Sequence, residues 1–379
     1  MKSSPAIDPR RIQIPCGPDE ITPDCLTAIL RQSRVLRDSA VERVDVTAVP
    51  AGSGFVGQAA HLKLTYDRPE AQAPAEMFAK LSSADGSVRA KLKSLGLYET
   101  EAGFYSDLGG EFQLRVPRPY ASHYDAETGE CLLLLEHIGH LRFGDNLVGS
   151  TLAEARVVIT SLARMQAHFW NSDRLKRCGW LRDSASDIAG SISMYHALLP
   201  VFEQRWAATA SAETILAART FAESMQAWFN NIAAGPFTLT HGDCRPDNFA
   251  FDGNGDLVLF DWQTARRCTN TRDLAFFMAV SLPVELRRAH EEDLLRLYHD
   301  TLLGAGVSGY SMPQLRTDYR RSLGSALISG VFAGAMLDFS SDRGLQLVTA
   351  ICERVGAALE DHEFAAWLPG YLETTPMEA

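Results

Sequence analysis

The sequence predicts an α+β protein of two lobes. The N-terminal lobe is an antiparallel sheet with a helix, and the larger, mainly helical C-terminal lobe carries a β-hairpin. Three observations predict this. Strand-favouring residues concentrate between 41 and 81. Helix-forming stretches rich in Ala, Leu and aromatics fill 151–232 and 271–366. Between those stretches, apolar runs flank the turn Asp252-Gly-Asn-Gly255, a strong hairpin signal.

In chain order, residues 1–20 are polar and Pro-rich and read as an arm. Thr22-Pro23 before Leu26, Ile29 and Leu30 reads as an N-cap, a first-turn proline and a short helical stripe. Val41–Val46 and His61–Tyr66 read as strands joined by the glycine-rich Ala51-Gly-Ser-Gly-Phe-Val-Gly57. Met77–Leu81 is a third short strand, and 88–108 reads as one helix. Cys131-Leu-Leu-Leu-Leu-Glu136 is a continuous apolar run that suits a buried strand. Phe237–Thr240, Phe249–Phe251 and Leu257–Phe260 are further strand-like runs. The domain reading is therefore an arm at 1–20, an N-lobe at 21–135 and a C-lobe at 136–379, with no internal repeat.

A chain of 379 residues is long enough for two lobes. Its formal net charge of -11 disfavours nucleic acid and anionic lipid as main partners. The seven cysteines form no CxxC pair and suggest neither a disulfide framework nor a zinc site. No apolar run approaches the roughly 18 to 20 residues that span a bilayer. The start, MKSSPAIDPRR, has no apolar h-region, so a cytoplasmic chain is expected.

The strongest chemical signal is His241-Gly-Asp-Cys-Arg-Pro-Asp-Asn248, placed between two strand-like runs where a loop belongs. It offers Asp243 and Asn248, and Asp261 follows at the end of the second hairpin strand. Phosphoryl transfer needs this set. One carboxylate orients the attacking hydroxyl and accepts its proton, while an amide and a second carboxylate hold a hard cation. Singly, each residue is an ordinary turn former. Together, in this strand context, they point to chemistry.

These residues resemble the aminoglycoside phosphotransferase and choline kinase superfamily, which has a protein-kinase-like fold. His241-Gly-Asp243 is similar to its catalytic loop, with Gly where protein kinases have Arg. Arg245 and Asp247 before Asn248 resemble the ecdysteroid-kinase-like and acyl-CoA-dehydrogenase-associated branches, and Ile21-Thr-Pro-Asp-Cys-Leu26 is similar to the former. The resemblance implies Asp243 as base and Asn248 and Asp261 as Mg²⁺ ligands, with Arg245 beside them in the catalytic string. Asp261-Trp-Gln263 stands where protein kinases have Asp-Phe-Gly, which argues against a movable Phe switch. Within Arg272-Asp-Leu-Ala275, Asp273 would brace the catalytic loop; an ordinary acid at a helix N-terminus is the alternative.

The resemblance also orders the N-lobe. Gly52, Ser53, Gly54 and Gly57 would form a phosphate-covering hairpin, although a bare turn is the more common explanation of the motif when it stands alone. Lys80 would bind the α- and β-phosphates, with Lys63 as rival. Its partner would be Glu101, with Glu99 second. Glu136 and His137 would form the hinge, where backbone groups hold the adenine. His168 reads as structural, and nothing in the sequence supports a redox role for Cys244.

The expected activity is transfer of the γ-phosphoryl of ATP, or GTP, with Mg²⁺ to a hydroxyl of a small molecule. A protein kinase is disfavoured by Gly242 and by the absence of an Ala-Pro-Glu string after Asp261. A nucleotide-binding pseudokinase and a non-catalytic interaction protein are the readings from other classes. Phe143, Trp170, Tyr195, Phe202, Trp206 and Trp228 either line a pocket for a hydrophobic or cationic alcohol or simply pack helices. The acceptor and the oligomeric state stay open.

Overall fold

The computed structural model describes residues 14–49, 57–184, 186, 188–206, 209–233, 235–336 and 341–374. It divides into two compact units: residues 1–111 with 116–140, and residues 112–115 with 141–379.

The first unit begins with α1 (Pro23–Gln32), capped as its sequence suggests: the Thr22 side chain accepts from the N–H of Cys25. Five strands follow: β1 (Val41–Ala48), β2 (Gln58–Tyr66), β3 (Glu76–Leu81), β4 (Pro119–Tyr124) and β5 (Cys131–Glu136). They form one antiparallel sheet in the order β1-β2-β3-β5-β4. Strand periodicity sorts its residues by face. Leu62, Met77, Ala79, Leu132 and Leu134 pack with Leu26, Ile29 and Leu30 of α1 in one buried cluster. Lys80, directly opposite Leu133, alternates to the other face.

The stretch 88–108 is not one helix. It is α2 (Gly86–Ser94), α3 (Leu97–Gly103) and a π-type turn over Phe104–Leu108. The break falls at Leu95-Gly96, where Gly96 takes a left-handed φ of 72° that ends the first helix. That break lets α3 pack against β4 and β5.

The second unit holds β6 (Arg142–Phe143), α4 (Leu152–His168), α5 (Asp173–Lys176), α6 (Ile188–Trp206) and α7 (Ala212–Ala233). The strands β7 (Phe237–Thr240), β8 (Phe249–Phe251), β9 (Leu257–Leu259) and β10 (Arg266–Thr269) follow. The chain then continues through α8 (Thr271–Ser281), α9 (Val284–Gly304), α10 (Met312–Met336), α11 (Asp342–Asp361) and α12 (Phe364–Thr374). The 252–256 turn closes the expected hairpin, with the Asp252 carboxylate accepting from the N–H groups of Asn254 and Asp256. β7 is not part of that hairpin; it pairs with β10 in a sheet of its own. After a polar first turn, α8 is apolar all round, and Leu274 through Val280 are all buried. Among the described residues, no helix is long and apolar enough to cross a membrane.

Candidate active site

The string 241–248, the candidate catalytic loop, sits between β7 and β8, and the pairing of Thr240 with Arg266 fixes where it starts. His241 is fully buried and its ring meets Trp262 edge-on, with centroids 4.7 Å apart. Its Nε2 lies 2.9 Å from the carbonyl oxygen of Phe260. A carbonyl only accepts, so Nε2 carries the proton, and Nδ1 accepts the N–H of Asp243 at 3.3 Å. Gly242 turns the chain with φ of 87°, a region that side chains resist. A Cβ there would stand 2.3 Å from the carbonyl oxygen of Thr264.

Asp273, in the first turn of α8, is fully buried. Its two carboxylate oxygens accept the N–H groups of His241 at 2.7 Å and Gly242 at 2.9 Å. It is thus a helix N-terminal acid that also holds the loop, and the two sequence readings of it are compatible. The Thr264 hydroxyl donates to the His241 carbonyl at 3.0 Å and ties down the same turn from the other side.

Asp243 is held on two sides. Arg245 Nε donates to its Oδ1 and Oδ2 at 3.0 and 3.1 Å, and Asn248 Nδ2 donates to its Oδ2 at 3.0 Å and to its carbonyl at 2.8 Å. Arg245 also donates Nη1 to Asp247 at 2.6 Å. Burial works against this guanidinium's charge, but Asp243 and Asp247 outweigh it and raise its pKa above the usual arginine value. Asp247 in turn accepts the N–H of Asn146 at 3.0 Å.

Asn248 spends its amide nitrogen on Asp243, which leaves Oδ1 as the atom suited to a cation. Asp261 follows β9 in a left-handed conformation, φ 66° and ψ 61°. That strain in a non-glycine residue belongs to a site whose surroundings dictate the backbone. The N–H of Phe260 donates to the carbonyl of Asn248 at 3.2 Å, which ties the backbones that carry both candidate ligands. An all-oxygen donor pair of amide and carboxylate fits Mg²⁺. Cys244 is buried, and burial, then Asp273 and Asp243, drive its thiol pKa well up, which argues against a thiolate nucleophile.

In the first unit, Lys80 Nζ lies 2.6 Å from Glu101 Oε1, with only 15% of the lysine and 5% of the glutamate side chain exposed. Glu101, not Glu99, is the partner. Lys63 is 62% exposed and stands 3.8 Å from Glu76, a surface arrangement. Gly57 runs so close to β3 that a Cβ would meet the Leu81 carbonyl oxygen at 2.1 Å. Gly52, Ser53 and Gly54 lie outside the described residues. Glu136 gives its N–H to the Arg118 carbonyl and accepts the Arg118 N–H on its carboxylate. His137 stacks on His61 with centroids 3.8 Å apart, and both rings reach Glu76 Oε2, at 3.0 and 2.9 Å. Burial, then the neighbouring His61, lower the pKa of His137.

Sequence reasoning missed several residues. Gln166, fully buried on α4, accepts the Thr238 hydroxyl on its backbone carbonyl at 2.8 Å, which seats β7, and accepts the Tyr298 hydroxyl on its side-chain Oε1. His168, two positions on, is exposed. A cavity of about 200 Å³ opens among α6, α7, α10 and β10, with Tyr195, Trp228, Arg266 and Arg272 in its wall. Phe202 and Trp206 are buried core, and Phe143 is exposed. No signal marked Arg266, since one arginine in a polar run has no periodicity to betray it.

Residues 189–305, which contain the whole 241–248 string and Asp261, match the Ecdysteroid kinase-like family. No curated protein sequence matches the chain. A protein of Ralstonia eutropha JMP134, provisionally named an aminoglycoside phosphotransferase, superposes with a TM-score of 0.54 at 16% identity, covering 90% of this chain and 97% of that one. Choline kinase from Cryptosporidium parvum Iowa II superposes with a TM-score of 0.55 at 11% identity, covering 87% of this chain and 94% of that one. The chain therefore has the protein-kinase-like fold of the aminoglycoside phosphotransferases and choline kinases, with an ecdysteroid kinase-like segment at 189–305.

Proposed function

We propose that this protein transfers the γ-phosphoryl group of ATP or GTP to a hydroxyl of a small molecule, with Mg²⁺. The observation that carries the reading is Asp243, clamped between Arg245 and Asn248 on a loop that Asp273 pins by two backbone N–H groups. A carboxylate fixed in one rotamer can take up the proton of an attacking hydroxyl without first reorganising, which is the pre-orientation such a step needs. Asn248 and Asp261 would hold the magnesium, which when bound neutralises charge on the phosphates. In the first unit, Lys80, oriented by Glu101, would offer its positive charge to nucleotide phosphates. In the same unit, the backbone at Glu136 and His137 would meet the base, and Gly57 would belong to the phosphate-binding glycines.

The test is label transfer. The purified protein, γ-labelled ATP, Mg²⁺ and a pooled set of small alcohols would be incubated and read by mass spectrometry. A labelled, phosphorylated alcohol supports the proposal and names the acceptor class. Nucleotide binding with no transfer to any alcohol would favour a non-catalytic nucleotide-binding module instead.

A further inference from the structure

The cavity in the second unit is lined by two kinds of surface. Met194, Tyr195, Leu198, Trp228 and Phe332 give it apolar walls, and Met194 and Phe332 are 46% and 40% exposed, so an apolar surface reaches solvent. The polar part of the wall holds serines and two cations. Arg266 and Arg272 both line it, and Arg266 Nε and Arg272 Nη1 are shielded from solvent with no hydrogen-bond partner among the described residues. The hydroxyl of Ser325, also in the wall, is buried and unpartnered as well. Three donors without acceptors around one cavity are costly unless something supplies the acceptors.

Among the described residues, the neighbouring charges do not supply them. Burial, then the positive charge of Arg272, push the pKa of Arg266 down to about 10, and Arg182 acts in the same direction. The nearby acid is Asp273, whose two oxygens already hold the N–H groups of His241 and Gly242. Arg267, the other arginine of β10, has its own partner, Asp183, at 3.0 Å. So a chain of net charge -11 sets two like positive charges side by side in one cavity wall. A cationic alcohol would be repelled there. An oxyanion would satisfy the open donors and relieve the repulsion, and guanidinium groups suit carboxylate and phosphate geometry.

The cationic wall also adjoins the catalytic loop. Arg272 Nη1 lies 2.9 Å from the position a Cβ on Gly242 would take, one residue before Asp243. We propose that the cavity binds the acidic group of an amphipathic anion, held by Arg266, Arg272 and Ser325, with its apolar body along Tyr195, Trp228 and Phe332. The anion's role as phosphoacceptor rests on the function proposed above; its binding does not. The acceptor class would then be hydroxylated organic acids, or hydroxylated phosphate esters, with an apolar body, in place of amino alcohols.

The test is calorimetric titration of the full-length protein, without nucleotide, with octanoate, octyl phosphate, octanol and octylamine. These share one apolar chain and differ in charge. Octanoate, octyl phosphate or both should bind at least tenfold tighter than octanol, and octylamine should bind weakest. Which of the two anions is tighter separates a carboxylate from a phosphate headgroup. Arg266→Met and Arg272→Met should each reduce anion binding at least tenfold, whereas Arg272→Lys should retain part of it. Ile328→Trp, which fills the cavity without touching a charge, should abolish binding of all four probes. Equal binding of octanol and the anions, or tighter binding of octylamine, would overturn the proposal. Thermal stabilisation by Mg²⁺-ATP, measured on the same samples, separates the two readings: anion binding without it would leave the cavity proposal standing and remove the kinase one.

Discussion

Arg245 reaches both carboxylate oxygens of Asp243 through a single nitrogen, Nε, at 3.0 and 3.1 Å, and so fixes the orientation of the proposed base. Lysine has no planar fork and cannot reproduce that contact together with the one to Asp247. Because Asn248 still holds Asp243 from the other side, Arg245→Ala should weaken catalysis without erasing it. The expected result is a fall in kcat of about tenfold to a hundredfold, with the KM for ATP little changed and partial recovery in Arg245→Lys. Steady-state kinetics with a fixed acceptor reads this split.

Asp273 should matter for stability as well as rate. Asp273→Ala strands the N–H groups of His241 and Gly242 in a buried turn. Two lost charge-assisted hydrogen bonds should cost about 3–5 kcal/mol. Urea unfolding should show the midpoint falling by a corresponding amount, and Asp273→Asn, which keeps one acceptor oxygen, should lose less.

Gly242→Ala tests the turn itself. An alanine would face both the positive φ and a carbonyl oxygen 2.3 Å away, which belongs to fixed backbone. Activity should fall at least tenfold, and thermal unfolding should start earlier than in the wild type.

The pair of Lys80 and Glu101 is a nucleotide-side test. Lys80→Met removes a 2.6 Å contact from a carboxylate that is 5% exposed. Loss of one partner of such a pair costs about 3–5 kcal/mol, so stability should drop together with affinity for Mg²⁺-ATP. Lys63→Met, on the exposed strand surface, should change neither.

Glu70 supplies a pH dependence remote from the site. Its carboxylate accepts the Ser39 hydroxyl at 2.7 Å, the Ser39 N–H at 3.0 Å and the Arg37 N–H at 2.7 Å, and clasps the segment that leads into β1. Those bonds, Ser39 first, hold its pKa down at about 2, against 4.5 for an ordinary glutamate. A folded pKa below the unfolded one means that the stabilisation is complete above 4.5 and is lost as pH falls toward 2. Glu70→Gln should therefore lower Tm at pH 7, and the gap from wild type should narrow below pH 4.5. Thermal scans of both proteins from pH 7 to pH 3 check it.

Much of this was legible in the sequence because the signal was contiguous. The string 241–248, the turn at 252–255 and the Thr22-Pro23 cap each place their chemistry within a few residues, where spacing alone predicts geometry. The break between α2 and α3 turned on a single glycine inside an otherwise helical run. Strand β10 is Arg-Arg-Cys-Thr, with neither apolar alternation nor β-branched enrichment; it is a strand because β7 is beside it. The partner of Lys80 required the fold of α3 to separate Glu101 from Glu99. The cationic wall joins a strand residue, Arg266, to a helix residue, Arg272, and only tertiary structure brings such a pair to one cavity.

The most direct measurement compares γ-phosphoryl transfer by the wild type and Asp243→Asn, at saturating Mg²⁺-ATP, onto the alcohol identified by label transfer. The account predicts that Asp243→Asn binds nucleotide as the wild type does while its kcat falls by about 10²–10⁴-fold. Equal rates in the two proteins would contradict it, because the residue that the whole loop is built to hold would then have no part in the reaction.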